Sequence, residues 1–241
     1  MFAELQHAFR LLWKAPAFTV AAVFTLALGI GGNVAVFTFV DAVLFRPLPF
    51  DEPDRLVTIS ESHAEKGQHR VGVLPGSLLD WRERSQSFES LALVAPAAML
   101  VTDRDEPVRV AGASVSPEFF AVLGVAPILG GTSFTSTGNP ENAREIVISH
   151  GLWQRWFGGR PDVPGRTIQV QGGVALTILG VMPASFDYPR GTDIWHAQPW
   201  DRAWGRGDRW RGAIGRVKAG VSLEAASGEL RRISSQLGTE F

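Results

Sequence analysis

Apolar and polar positions follow three different patterns along the chain. In residues 1–14, Phe2, Leu5, Phe9, Leu12 and Trp13 fall on one helical face, and Glu4, Gln6, His7, Arg10 and Lys14 on the other. That predicts an amphipathic interfacial helix lying on a membrane surface. Over residues 15–40 the alternation stops: 26 residues pass without Asp, Glu, Lys, Arg or His. A helix of that length is about 39 Å long at ~1.5 Å per residue, enough to cross a bilayer core of ~30 Å. Residues 15–46 are therefore read as a transmembrane helix, stopped by Pro47 and Pro49, which cannot continue it. It is too long for a signal-peptide apolar region, and no small-residue cleavage motif precedes Arg46. Arg10 and Lys14 flank the span and put the N-terminus in the cytoplasm.

Beyond residue 50 the periods are short and mixed. LVTISES reads as a strand and GQHR as a loop. Ser77 and Asp80 make a capping-box pattern opening a helix through Trp81 and Arg84. LALVAPAAMLVT reads as a strand with an irregular middle at Pro96, and VRVAGASV alternates like a half-buried strand. In SPEFFAVLG, Ser116 fits an N-cap, Pro117 the first helical position and Gly124 the stop. EIVIS is a strand, HGLWQRWFGG a helix closed by glycine, and RTIQVQGGVALTILGVMP a hairpin turning at Gly172-Gly173. DIWHAQPW and WRGAIGRVKAG are further strands. Ser222 caps a last helix with a stripe of Leu223, Ala226, Leu230, Ile233 and Leu237. Helices do not alternate with single strands, so the expected class is α+β rather than a doubly wound parallel sheet.

Composition narrows the chemistry. Residues 51–241 carry 20 basic and 22 acidic side chains, so the outer part has a net charge of −2 and lacks the basic excess of a nucleic-acid surface. There is no cysteine, which removes disulfides and thiolate metal sites. LGIGGNVAVF has Gly29 and Gly31 but Val34 where a dinucleotide fingerprint needs its third glycine, and no Walker-type loop occurs. No cofactor is expected. Inside a membrane helix, Ala27, Gly31 and Ala35 instead recur every four residues and form a narrow face for helix packing, with Asn33 as an added polar group.

No catalytic constellation emerges. His63 and His69, with Glu61 and Glu65 nearby, lack a recognised metal-ligand spacing. There is no nucleophile elbow, and Asp80, Glu83 and Glu89 suit capping and surface roles. Trp153 and Trp156 lie three apart on one helix and suit core packing. The densest cluster is Trp195, Trp200, Trp204 and Trp210 with Arg202, Arg206, Arg209 and Arg211. It is a candidate partner or ligand surface, because Trp and Arg are enriched at binding hot spots; the other reading is a long loop covering a small core.

LLWKAPAFTVAAVFTLALGIGGNVAVF, the RPLPF exit, SLLDWRERSQSFESLA, SPEFFAVLGVAPILGG, ISHGLWQRWFGG, GRTIQVQGG and ILGVMP, in this order and spacing, resemble the MacB-like/FtsX-like ABC transporter permeases, particularly the acidobacterial-type duplicated permeases. The resemblance covers nearly the whole chain. It implies a first membrane helix followed by a two-lobed periplasmic core domain: a porter-like α+β lobe over residues 51–118 and 208–241, and an inserted β-rich lobe over residues 119–207. It implies a location in the bacterial inner membrane with the main domain periplasmic. The implied partners are a separate ABC ATPase subunit, membrane lipids and other permease helices, in a dimer of permease units. The expected function is a non-enzymatic permease subunit that couples cytoplasmic ATP hydrolysis to movement of the periplasmic domain. The later membrane helices of the family are missing, so the chain is read as a fragment. The alternative is a stand-alone membrane-anchored periplasmic binding or adaptor module.

Overall fold

The computed structural model describes residues 13, 15–40, 50–63, 68–103, 106–134, 144–198 and 212–240. Apart from Trp13, the amphipathic helix expected over residues 1–14 lies outside them. The chain divides into two units, Met1–Leu48 and Pro49–Phe241.

The first unit contains α1, Pro16–Val40. Proline is tolerated at a first helical position because the N–H there has no intrahelical acceptor. Over Pro16–Thr38 this helix is long and apolar enough to cross a membrane. Its polar side chains are satisfied within the helix: Thr25 Oγ1 donates to the Ala21 carbonyl at 2.9 Å, Asn33 Nδ2 to Gly29 at 2.9 Å and Thr38 Oγ1 to Val34 at 2.8 Å. Asn33 therefore needs no second helix to satisfy this amide N–H. Ala27, Gly31 and Ala35 lie exposed along the helix, and a Cβ at Gly31 would meet nothing within 4 Å.

The second unit opens with a 3-10 turn, Pro53–Arg55, and β1, Leu56–Ile59. A two-stranded ribbon follows, β2 (Glu61–His63) with β3 (Gln68–Val71), and then α2, Pro75–Arg84. β4 (Phe88–Val101) and β5 (Val108–Val115) lead into α3, Phe119–Leu123. Then come β6 (Leu129–Gly130), β7 (Glu145–Ile148) and α4 (His150–Phe157). The hairpin β8 (Thr167–Val170) and β9 (Val174–Val181), then β10 (Ile194–Ala197), β11 (Gly212–Val217) and α5 (Leu223–Glu240) complete the domain.

Nine strands form one sheet in the order β1-β11-β4-β5-β10-β7-β9-β6, with β8 pairing β4 and β9. Strands from residues 56–115 and 212–217 fill one half of that order; strands from residues 129–197 fill the other. The two halves meet where β5 and β10 pair in parallel, Ile194 opposite Gly112. Both faces of the sheet are covered. On β4, Leu91 and Leu93 face a core with α2 and α5, while Ala92 and Val94 face a core with α3, Phe186 and Trp195. A third core joins α4 to β7, β8 and β9. This is the mixed α+β domain behind an apolar helix that the sequence predicts.

The GQHR stretch, read from sequence as a loop, contributes to β3, because it pairs with β2. Three further details differ from the sequence reading. α2 starts at Pro75 rather than after Ser77: its N-cap, Leu74, makes no side-chain cap bond, and proline holds the helical φ that a capping box would otherwise select. Asp80 accordingly lies inside the helix and is buried rather than at the surface. α3 starts at Phe119 because the Ser116 hydroxyl is used elsewhere, accepting the Leu93 N–H at 3.0 Å, so Ser116 and Pro117 form a turn ahead of the helix. Gly124 stops it as expected, in the left-handed region. Finally, β4 runs unbroken through Pro96. The β11 ladder ends at Val94, and among the described residues nothing pairs on that edge of β4 until Val101, so proline costs no ladder bond there.

Candidate functional site

Two features stand out in the outer domain: a groove beside the edge of the sheet, and a cluster of charges where the chain enters it. The groove, about 690 Å³, lies between β1, α2 and α5. Ile59, Trp81, Phe88 and Leu230 give it an apolar floor, and Ser60, Glu61, Arg231 and Ser234 are among its polar lining. Trp81 is held by its Nε1–H, which donates to Ser234 Oγ at 3.0 Å and ties α2 to α5. Leu223, which the sequence places in the buried stripe of α5, is 55% exposed at the groove rim, one turn before the stripe meets the sheet. β1 pairs only with β11, so its other edge borders the groove without a ladder partner among the described residues.

Below the groove, Glu229 of α5 fixes the turn after α2. Its carboxylate accepts from Ser85 Oγ at 2.6 Å and from the N–H groups of Gln86 and Ser87, both at 2.9 Å. Partial burial works against the charged form, but the hydrogen bonds of Ser85, Ser87 and Gln86 outweigh it and draw the pKa down to about 2.

The charge cluster centres on Arg216, 4% exposed in β11. Arg216 shares a strand face with Ile214, which points to α3, so its guanidinium reaches the same side. Nε donates to the Val122 carbonyl in the last turn of α3 at 2.9 Å, and Nη2 to the Asp51 carbonyl at 2.8 Å. Nη1 is buried with no hydrogen-bond partner among the described residues; the Glu52 carboxylate is 4.0 Å away. That carboxylate pairs with Arg55, which also pairs with Glu89 and donates from Nε to the Val217 carbonyl at 2.8 Å. Glu52 has φ 42°, the one positive φ outside glycine among the described residues. Gly124 makes room for the crossing: a Cβ there would sit 2.6 Å from Asp51 Cβ and 3.1 Å from Arg216 Nη2.

The residues proposed from sequence fare unequally. Trp195 is not a partner surface. It is fully buried in β10, its Nε1–H donating to the Tyr188 carbonyl at 2.9 Å and its ring 5.2 Å from that of Phe186 and 6.0 Å from that of Phe120. Strand alternation turns it toward the core that holds Phe120 and Phe186, and pairing by β5 and β7 makes β10 a central strand. Trp200, Trp204, Arg206 and Trp210, with Arg202, Arg209 and Arg211, lie outside the described residues. Trp153 and Trp156 pack against the third core, as their spacing suggests. His63 falls on β2 and His69 on β3, while Glu65 lies outside the described residues. Arg216 and Glu52 were missed. The signal for Arg216 was present: GAIGRV puts a charge at an inward alternating position, where an apolar residue is expected.

A family model described as the MacB-like periplasmic core domain matches residues 19–233. Among solved structures, the chain is similar to a domain assigned to a permease protein from Porphyromonas gingivalis. That match has TM-score 0.56 and 20% identity, and covers 78% of this chain and 86% of the other. It is also similar to the periplasmic region of MacB from Actinobacillus actinomycetemcomitans (0.51, 11%, 76% and 82%). A third similar structure is the extracellular domain of the noncanonic ABC-type transporter YknZ from Gram-positive bacteria (0.50, 13%, 76% and 93%). At these identities the likeness concerns the fold. No curated protein matches the chain.

Proposed function

The chain belongs to the MacB-like periplasmic core domain family, a domain of ABC-type permeases, and from that premise we propose that it is a non-catalytic permease subunit driven by a separate cytoplasmic ATPase. The observation that carries this reading is the extent of the family match. It begins at residue 19 within α1 and ends at residue 233 within α5, so the membrane-length helix and the outer domain fall under one family description. In this reading the N-terminus is cytoplasmic, α1 crosses the inner membrane, and the Ala27, Gly31 and Ala35 face packs against further permease helices, in a dimer of permease units. Residues 51–118 and 208–241 act as a porter-like lobe and residues 119–207 as an inserted lobe. ATP binding and hydrolysis move this domain, and cargo or signal is met at the groove beside β1 and at the Trp/Arg segment.

The test uses the full-length product of the same gene, affinity-purified from membranes in mild detergent. An ABC-type ATPase should come with it, and ATP turnover should require both chains. If no ATPase associates, the permease reading fails and a membrane-anchored binding module takes its place, with the groove as its ligand site.

A further inference from the structure

We propose that Glu52 and Arg216 form a two-position latch that links movement of the segment entering the outer domain to α3. Three observations carry it. The guanidinium of Arg216 is buried and bridges two pieces of backbone that are otherwise far apart in sequence: the Asp51 carbonyl and the Val122 carbonyl. Its third nitrogen, Nη1, is buried without a hydrogen bond among the described residues, a costly condition for a charged group. The carboxylate that would satisfy it is already at 4.0 Å, held on Arg55 by a residue whose backbone sits in the left-handed region.

Glu52 thus has two cationic partners and is bonded to one. A hydrogen bond of ordinary length needs a shift of about 1 Å toward β11. That shift satisfies Nη1 and loosens the Arg55 pair, which is exposed on the Glu52 side and weak for that reason. Displacement the other way strains the Asp51 bond to Nη2. In both directions the guanidinium passes the movement to Val122, because the fork is planar and its nitrogens cannot move independently. The charged groups facing it are Glu52, from the incoming segment, and Arg55 with Glu89 beyond. α3 contributes only backbone, and Gly124 keeps the crossing clear. Arg216 is a positioning residue.

That the latch carries motion from the membrane side rests on the permease reading, but the coupling itself can be measured without it. Hydrogen exchange would be followed by mass spectrometry on the full-length protein in detergent. Arg216→Met should speed exchange about tenfold or more in both residues 50–55 and residues 119–125, with β7 and β10 unchanged. Arg216→Lys keeps the charge but cannot bridge both carbonyls, and should speed both segments less. If Arg216→Met unfolds the domain, the lysine variant decides. Glu52→Gln should speed residues 50–55 most and residues 119–125 to a smaller extent; no change in residues 119–125 would also overturn the latch. Loosening of only one segment in the arginine variants, or of neither, overturns the latch. If both segments loosen while ATP turnover needs no partner ATPase, the latch stands and the permease reading fails.

Discussion

Glu229 shows how one side chain sets a pH limit. Its folded pKa of about 2 lies below the ordinary value of 4.5, so it contributes stability that is fully present above pH 4.5 and lost as pH falls toward 2. Glu229→Gln should remove on the order of 2 kcal/mol at pH 7, allowing for partial exposure. It should also flatten the acid limb of a stability curve measured by denaturant unfolding between pH 2 and 7. An unchanged acid limb would show that the three hydrogen bonds do not hold the turn after α2. Gly124 is a second single-residue test. With φ 67° and Asp51 Cβ 2.6 Å from an added Cβ, Gly124→Ala should cost roughly 1–3 kcal/mol, read as a lowered unfolding midpoint. Neither contact can be read from sequence: Gly124 is visible as a helix stop, but Asp51 is not visible as its neighbour.

At the scale of elements, local patterns located the helices and most strands of the described outer domain to within a few residues, but took β3 for a loop and gave no strand at β6. Among the helices they misplaced the starts of α2 and α3. Both errors came from a Ser side chain taken as a cap. A hydroxyl is an acceptor for whichever N–H comes near, and at Ser116 that is Leu93 on β4, a contact 23 residues back in the chain. The tryptophan-rich segment erred for a related reason: Trp195 has the same residue type as Trp200, Trp204 and Trp210, but a central strand takes it into the core. α1 offers the opposite case. At Gly31 its small-residue face meets nothing within 4 Å among the described residues, so Gly31→Leu should leave the helix itself intact. In the full-length product the same change should reduce assembly, measured as loss of the higher-order species in detergent gel filtration or cross-linking. Assembly at the wild-type level would remove the packing role of this face.

For the whole molecule, the sheet is the organising fact. It interleaves the chain so that β11, from the C-terminal part, pairs with β1 and β4 from the N-terminal part, and β10 pairs in parallel with β5. Because residues 49–241 form one unit by themselves, that segment made without α1 should fold alone. Tryptophan fluorescence and far-ultraviolet circular dichroism should then report a single coincident transition; two separate transitions would show that the halves on either side of the β5–β10 seam unfold independently. The sequence by itself determined the apolar helix, the α+β class, the positions of most strands and the family, because these depend on the local order of polar and apolar residues and on ordered motifs. Only the tertiary structure decided which strands are neighbours, that Trp195 is core, that β1 borders a groove, and that Arg216 meets Asp51, Glu52 and Val122. These follow from contacts between residues as far as 165 positions apart, which no local period encodes.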